Sequence, residues 1–250
     1  MIKLFLSLSI SVFLFLFTHS RPALGGEWEA RQQEIQRLQS SLAGRPHDPD
    51  LLWELARNYY NLGNLETDKE KGLDAYRKCR DYSKKSLAIK ENSAQAHFWL
   101  GLCYGKEAGV EGGLSGLSFA DKIKNEMTRV IELDPNYSSA GGHRALGKLF
   151  SRLPRIAGGD TDQAQRHLEE AVRIAPDFST NHLYLAEVYL QRKNYDLAYK
   201  EIETVMNRPF DSMDPATIAE EKKKAKSLLM DIPTPIRKKL ATAKAENKFF

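Results

Sequence analysis

The sequence lacks the motifs that mark common catalytic and phosphate-binding sites. HExxH and GxSxG are both absent, and no pair of carboxylates stands in a recognisable catalytic frame. The glycines of residues 105–116 follow no predicted strand and precede no Lys-Ser or Lys-Thr pair, so they predict a loop between helices and not a P-loop. We therefore predict a protein that is not an enzyme and uses no cofactor.

The sequence also lacks an apolar run long enough to make a stable membrane anchor. Its longest run, residues 4–17, would span about 21 Å as a helix, whereas a hydrocarbon core is about 30 Å thick. Lys3 precedes this run and small residues follow it, which predicts a signal peptide over residues 1–25, cleaved near Gly25. We therefore expect a bacterial protein that is periplasmic or secreted.

Cysteine is nearly absent, since Cys79 and Cys103 are the only two in the chain. A pair on neighbouring helices of an exported protein can form a disulfide. Both positions also fall on apolar helix faces, where cysteine serves as a small hydrophobic side chain. The sequence leaves both interpretations open.

Charge of one sign is not in large excess, since the formal net charge is +4. The positive excess lies in residues 221–250, which hold nine Lys or Arg against three Asp or Glu. A basic chain end of this kind is typical of a solvated tail. We therefore predict a basic tail at residues 233–250 and no nucleic-acid partner.

What the sequence does contain is a repeated helical pattern, most regular over residues 164–205. Ala164, Leu168 and Ala171 share one helix face, and Pro176 ends that helix. Small residues such as Ala186 and Ala198 on the next two helices allow helices to cross closely. This pattern resembles the tetratricopeptide (TPR) repeat.

Weaker copies of the pattern extend the repeats in both directions, with Leu100-Gly101 and Leu146-Gly147 as equivalent elements. We predict an all-α fold, a TPR-like α-solenoid of about four helical hairpins with N- and C-terminal capping helices. Asp160 is the predicted N-cap of one helix, and Pro233 and Pro235 are predicted to end regular structure. The predicted parts are a signal peptide (1–25), a capping helix (26–48), TPR-like repeats (49–209), a second capping helix (210–232) and the basic tail (233–250).

Three histidines, His97, His143 and His182, occupy the same slot of successive repeats. Equivalent helices of neighbouring repeats lie at least about 8–10 Å apart, whereas zinc needs each ligand nitrogen at about 2.0–2.1 Å. We therefore predict hydrogen-bonded structural histidines and no metal site.

The concave surface of the solenoid remains as the candidate binding site. It is formed by the face of each repeat's first helix that points away from its own second helix. A mixed aromatic and basic groove suits a carboxylate or an acidic peptide, and a solvated face would show the same residues. The predicted groove residues are Trp53, Arg57, Tyr60, Phe98, Lys106, Arg144, Lys148 and Arg152, with Leu183 and Glu187 on the same face of the fourth repeat.

Arg144, Lys148 and Arg152 are spaced by four and so lie along one side of a helix. Like charges in such a row repel one another by a few tenths of a kcal/mol per pair, which predicts that an anionic group of a partner rests there. Exposed positions contribute little to folding. Replacing all three by Gln is therefore expected to weaken partner binding and leave thermal melting nearly unchanged.

Residues 49–232 resemble the TRAP-transporter-associated T-component family at Leu146-Gly147, over residues 153–160 and over residues 164–178. That resemblance implies a periplasmic accessory subunit that binds a solute-binding protein and forms a trimer. The chain also resembles the regulator of microtubule dynamics family at residues 85–87, 96–99, 130–135 and 214–229. Because a signal peptide argues against a tubulin role, we take only the fold from this second resemblance.

These observations together predict an exported TPR-like binding or scaffold protein with a protein partner and no stable membrane anchor. The predicted function is that of an accessory subunit of a periplasmic transport or envelope assembly. The alternative is a stand-alone periplasmic protein that holds an apolar or anionic small ligand.

Overall fold

The structure is a computed structural model, and it describes residues 22–210 and 214–246. Most of the predicted signal peptide, residues 1–21, lies outside the described residues. The backbone of residues 22–25 belongs to the first helix.

Every regular element in these two ranges is helical. The helices are α1 (Pro22–Gly44), α2 (Pro49–Leu65), α3 (Lys69–Ile89), α4 (Ala94–Glu111), α5 (Gly113–Leu117), α6 (Ala120–Leu133), α7 (Tyr137–Arg152), α8 (Thr161–Ile174), α9 (Ser179–Gln191), α10 (Tyr195–Asn207), α11 (Pro215–Asp231) and α12 (Thr234–Ala245), with one 3-10 turn at Arg155–Ala157. Four hairpins, α2–α3, α4–α6, α7–α8 and α9–α10, follow one another and pack in chain order. The predicted all-α solenoid is confirmed. None of the helices in the described part of the chain is long and apolar enough to cross a bilayer.

Small residues let the two helices of a hairpin cross closely, as the sequence predicted. A Cβ atom added to Gly147 of α7 would stand 2.4 Å from Cγ of Leu168 on α8. A Cβ atom on Gly101 of α4 would stand 2.5 Å from Cε of Met127 on α6. Ala186 holds the equivalent position in the fourth hairpin and is fully buried. These contacts set how closely the two helices of each hairpin approach one another.

The predicted glycine-rich loop over residues 105–116 is shorter than expected. Helix α4 continues to Glu111 and includes Gly105 and Gly109, which have right-handed helical backbone and open space around them. The chain turns only at Gly112 and Gly113, whose φ angles of 64° and 51° lie in the left-handed region that favours glycine.

Aspartate side chains cap two of the helices, and one of these caps was predicted from the sequence. Asp160 caps α8 by accepting hydrogen bonds from the backbone N–H groups of Asp162 (2.8 Å) and Gln163 (3.0 Å). Asp214 caps α11 in the same way, with Pro215 in the first turn. The predicted Asp160 cap is confirmed.

The C-terminal prediction that Pro233 and Pro235 end regular structure is wrong, because α12 follows directly. A proline in the first turn of a helix loses no hydrogen bond, since that turn's N–H groups have no partner within the helix. Leu240 of α12 is buried in the same apolar cluster as Ile202 and Ile232. Part of the basic tail is therefore a packed helix.

The two cysteines form a disulfide that joins α3 to α4, with Cα atoms 6.2 Å apart. Both sulfur atoms lie in the apolar cluster that α1, α2, α3 and α4 share. The structure therefore combines the two interpretations of Cys79 and Cys103, because the bond is buried among apolar side chains.

Candidate functional site

A cavity of about 580 Å³ opens on the concave surface between the first helices of the four hairpins. Its walls come from the C-terminal half of α2, from α4, α6 and α7, from Gly116 on α5 and from Tyr184 on α9. Of the predicted groove residues, the cavity brings together Tyr60, Phe98, Lys106, Arg144, Lys148 and Arg152.

Trp53 and Arg57 do not line this cavity. The Arg57 guanidinium lies 5.5 Å from the centre of the Trp53 ring, and the Trp53 indole donates a hydrogen bond to Asp50 at 3.0 Å. Trp53 precedes Tyr60 by about two helical turns, which places it about 10 Å farther along α2. The sequence assigned the correct helix face, and the cavity meets only the end of that face.

The wall formed by α2 and α4 is aromatic and carries one cation. The Tyr60 and Trp99 rings lie 5.5 Å apart, and burial raises the pKa of Tyr60 to about 12, so its phenol is neutral. The Lys106 ammonium lies 5.5 Å and 5.6 Å from the Tyr60 and Tyr76 ring centres, and burial lowers its pKa. Within residues 22–210 and 214–246, no carboxylate forms an ion pair with Lys106.

The opposite wall carries the predicted cation row, and a carboxylate of the chain itself lies against it. Lys148 donates to Oε2 of the buried Glu187 at 2.8 Å, and Arg152 approaches the same oxygen at 3.4 Å. Lys224 of α11 pairs with the other oxygen. Burial favours the neutral carboxyl, but hydrogen bonds from Lys148 and Lys224 outweigh it and hold the pKa of Glu187 below its usual value.

Glu187 changes the expectation for the triple Gln variant of Arg144, Lys148 and Arg152. The repulsion along the row is relieved inside the protein, and removing the cations would leave a buried carboxylate with fewer partners. We therefore expect this variant to lose stability, contrary to the sequence-based expectation of unchanged melting.

Arg144 is held by the backbone at the start of α7. Residues 138–140 have φ angles of 52°, 56° and 61°, a left-handed turn of non-glycine residues that is costly for L-amino acids. This turn directs two carbonyl groups at the guanidinium, which donates to Ser139 at 2.8 Å and Ser138 at 3.1 Å. A third bond of 3.1 Å joins it to the Asn181 side chain. Burial lowers the pKa of Arg144 to about 10, so it remains charged at neutral pH.

Sequence reasoning missed two residues of the site. Tyr184 packs under Lys148, whose ammonium lies 4.0 Å from the ring centre. Its spacing of three from Glu187 places the two on one helix face, and that signal would have found it, whereas the predicted Leu183 is buried in the core. Lys224 comes from the capping helix α11, and no local pattern in the sequence points to it.

The second and fourth hairpins use their histidines identically. In α4, His97 Nδ1 pairs with Glu126 at 2.6 Å and Nε2 with the Glu91 carbonyl at 2.9 Å. In α9, His182 Nδ1 pairs with Glu201 at 2.5 Å and Nε2 with the Pro176 carbonyl at 2.9 Å. Hydrogen-bonded structural roles are thereby confirmed for His97 and His182.

In the third hairpin, the histidine at this position contacts a second histidine in place of a glutamate. His143 Nδ1 lies 3.1 Å from Nδ1 of His167, which occupies the position of Glu126 and Glu201. The described residues contain no group of three or more His, Cys, Asp or Glu side chains arranged to hold a metal ion.

Comparison with known protein families gives two matching family models. The model of the family Regulator of microtubule dynamics protein 1-3 matches residues 24–149, and a tetratricopeptide repeat model matches residues 155–215. Regulator of microtubule dynamics protein 1 of Mus musculus is 31% identical over 191 residues, which are 69% of this chain and 60% of that protein. The Bos taurus protein of the same name is 27% identical, over 69% of this chain and 58% of that protein. The chain thus spans about three fifths of the length of these relatives.

Among solved structures, the chain is similar to a thermophilic TPR protein of Thermus thermophilus. The TM-score is 0.61 at 19% identity, and the match covers 83% of this chain and 96% of that one. At this identity the similarity shows the fold alone, which is TPR-like. TPR-like proteins mediate protein–protein interactions.

These matches overturn two sequence-based predictions. The function predicted in a periplasmic transport or envelope assembly, together with its periplasmic small-ligand alternative, is wrong, because the relatives are regulators of microtubule dynamics. The predicted bacterial periplasmic location is also wrong, because those relatives are mammalian proteins. The TRAP T-component resemblance, the solute-binding partner and the trimer gain no support from the matches.

Proposed function

The chain belongs to the Regulator of microtubule dynamics protein 1-3 family, and from that premise we propose that it is a non-enzymatic protein-binding module in microtubule regulation. Its concave cavity holds an acidic segment of a partner polypeptide. The relatives' name supplies the microtubule setting, and the cavity supplies the chemistry of the partner.

The observation that carries the proposal is the imbalance of charge around the cavity. Lys106, Arg144, Lys148 and Arg152 line it. Among the described residues, Glu187 is the carboxylate that forms ion pairs with this set. An acidic segment would therefore find cations that are not fully neutralised, and charge-assisted hydrogen bonds to carboxylates are stronger than neutral ones.

Two of the cations are placed to receive a ligand and not only to support the fold. Arg152 leaves 60% of its side chain exposed and contacts Glu187 only at 3.4 Å. Lys106 contacts aromatic rings, which attract a cation and do not neutralise it. Arg144 and Lys148 already form hydrogen bonds within the protein, and these bonds stabilise the cavity wall.

The first test measures binding of a fluorescein-labelled octaglutamate peptide by fluorescence anisotropy. We expect the double variant K106Q/R152Q to bind about tenfold more weakly or worse, and E187Q to bind more tightly because it removes the competing carboxylate. K200Q, which removes an exposed cation on α10, is the matched control and should bind like wild type. Binding should weaken as salt screens the charges. Equal affinity of wild type and K106Q/R152Q would contradict the assignment.

The second test asks whether the protein acts in microtubule regulation. Growth and shrinkage rates of purified microtubules would be measured with wild type, K106Q/R152Q and K200Q. We expect wild type and K200Q to change these rates and K106Q/R152Q to have a smaller effect. Peptide binding without any effect on microtubules would retain the acidic-segment site and reject the microtubule role.

A further inference from the structure

His143 and His167 face each other across the third hairpin with no carboxylate between them. Their Nδ1 atoms are 3.1 Å apart, and one of these nitrogens must donate a hydrogen to the other. The equivalent rings of the neighbouring hairpins, His97 and His182, use both nitrogens on a glutamate and a backbone carbonyl. In those two rings both nitrogens already have a partner, whereas in the third hairpin two Nδ1 atoms lie against each other without a carboxylate.

The spacing of these two nitrogens fits a chelated metal ion. With metal–nitrogen bonds of about 2.05 Å, a separation of 3.1 Å corresponds to an angle at the metal of about 98°. This angle lies between the tetrahedral and the square-planar or octahedral values. Imidazole nitrogen is a ligand that Zn²⁺ and Cu²⁺ prefer.

We propose that His143 and His167 form a two-nitrogen site for a divalent late transition-metal ion, Zn²⁺ or Cu²⁺, bound through both Nδ1 atoms. No third His, Cys, Asp or Glu of residues 22–210 and 214–246 completes the set, so water takes the remaining positions. Both side chains are half-buried, which leaves a path for that water.

The surroundings keep the two rings neutral and ordered. Burial lowers the pKa of His143, and burial together with the neighbouring His143 lowers that of His167 to about 4. Metal ligation needs neutral imidazole. The hydrogen that one Nδ1 now donates to the other moves to Nε2 of its own ring when both Nδ1 atoms bind the metal, so the change of tautomer releases no proton at neutral pH. The Phe150 ring stacks on His167 with ring centres 5.7 Å apart, which restricts the orientation of the imidazole.

Charged groups on α8 border the pair on both sides. Glu170, one turn after His167, interacts with His143 electrostatically, and Arg173 holds its carboxylate by bonds of 2.7 Å and 2.5 Å. Arg166 disfavours positive charge on His167. Glu170 is therefore the nearby group that offsets part of the charge of a bound cation.

The test is titration of the full chain with Cu²⁺ and Zn²⁺ after treatment with a chelator. Calorimetry should give one ion per chain at this site, with affinity at least tenfold lower in H143Q and in H167Q. H47Q, which removes an exposed histidine on the α1–α2 connection, is the matched control and should retain the site. In the wild type, electron paramagnetic resonance of the Cu²⁺ complex should show coupling to two imidazole nitrogens, and in H167Q to one.

Two outcomes would overturn the proposal. One is a double variant H143Q/H167Q that binds Cu²⁺ with wild-type affinity. The other is a wild-type spectrum with fewer than two nitrogen couplings, which decides the matter even if the variants fail to fold by circular dichroism.

Discussion

The third and fourth hairpins have the same helix arrangement, but they differ in the side chain that faces the histidine of the first helix. In the fourth, His182 and Glu201 form a close pair, and the second ring nitrogen is tied to the backbone at Pro176. In the third, His143 meets another histidine. The third hairpin also contains the left-handed turn of residues 138–140, which the fourth lacks at its start.

This difference coincides with the proposed binding site. Local departures from a favourable pattern tend to persist at functional sites. Here the departures cluster in the hairpin whose first helix supplies Arg144, Lys148 and Arg152 to the cavity. The fourth hairpin follows the pattern and supplies Tyr184 and Glu187 to the proposed site.

The largest expected effect comes from breaking the polar pair of the fourth hairpin, and the matching change in the third hairpin provides the comparison. H182A leaves the half-buried Glu201 carboxylate without its partner and should lower the free energy of unfolding by about 3 kcal/mol. H143A removes no charge partner and should cost about 1 kcal/mol. Urea unfolding at pH 7 measures both, with K200Q as a control within about 0.5 kcal/mol of wild type. Equal losses would show that the two slots are energetically alike.

A smaller effect is expected from exchanging the crossing residues. G147A brings a Cβ atom to 2.4 Å from Leu168 Cγ and should cost about 2 kcal/mol through overpacking. A186G, at the equivalent position of α9, should cost about 1 kcal/mol through the lower helix propensity of glycine. Thermal and urea unfolding of both variants provide the measurement. A stabilised G147A would mean that helix propensity outweighs the close crossing.

The smallest effect is expected from making the third hairpin resemble the fourth. H167E places a carboxylate opposite His143, as Glu201 stands opposite His182, and should stabilise the protein by about 1 kcal/mol. The pKa of His143, which burial now lowers, should rise because a neighbouring carboxylate favours the charged imidazole. Urea unfolding and NMR titration in the presence of EDTA provide the two readouts. H167Q, which adds no charge, should leave the pKa of His143 low, and an equal rise in H167Q would rule out the electrostatic cause.

The candidate site was predictable in part. Tyr60, Lys106 and Arg152 follow from helix periodicity, which assigns faces reliably. The limits of the cavity depend on how far each helix runs beside its neighbour, and periodicity does not report that. Trp53 and Arg57 therefore lie on the predicted helix face but do not line the cavity. Lys224 reaches the site from a helix about 37 residues beyond Glu187 in the chain, and only packing reveals such a contact.

The sequence by itself determined most of the repeat helices, their small crossing residues and the TPR-like solenoid, because helix spacing and steric volume are local properties. It did not determine α12 or the length of α4. The function and the location that the sequence suggested were overturned by comparison with related proteins. Tertiary structure alone decided which charges are neutralised and which remain available. Glu187 faces Lys148 and Arg152, and His143 faces His167, because neighbouring helices bring together residues that are distant in sequence, and electrostatic interactions depend on distance in space.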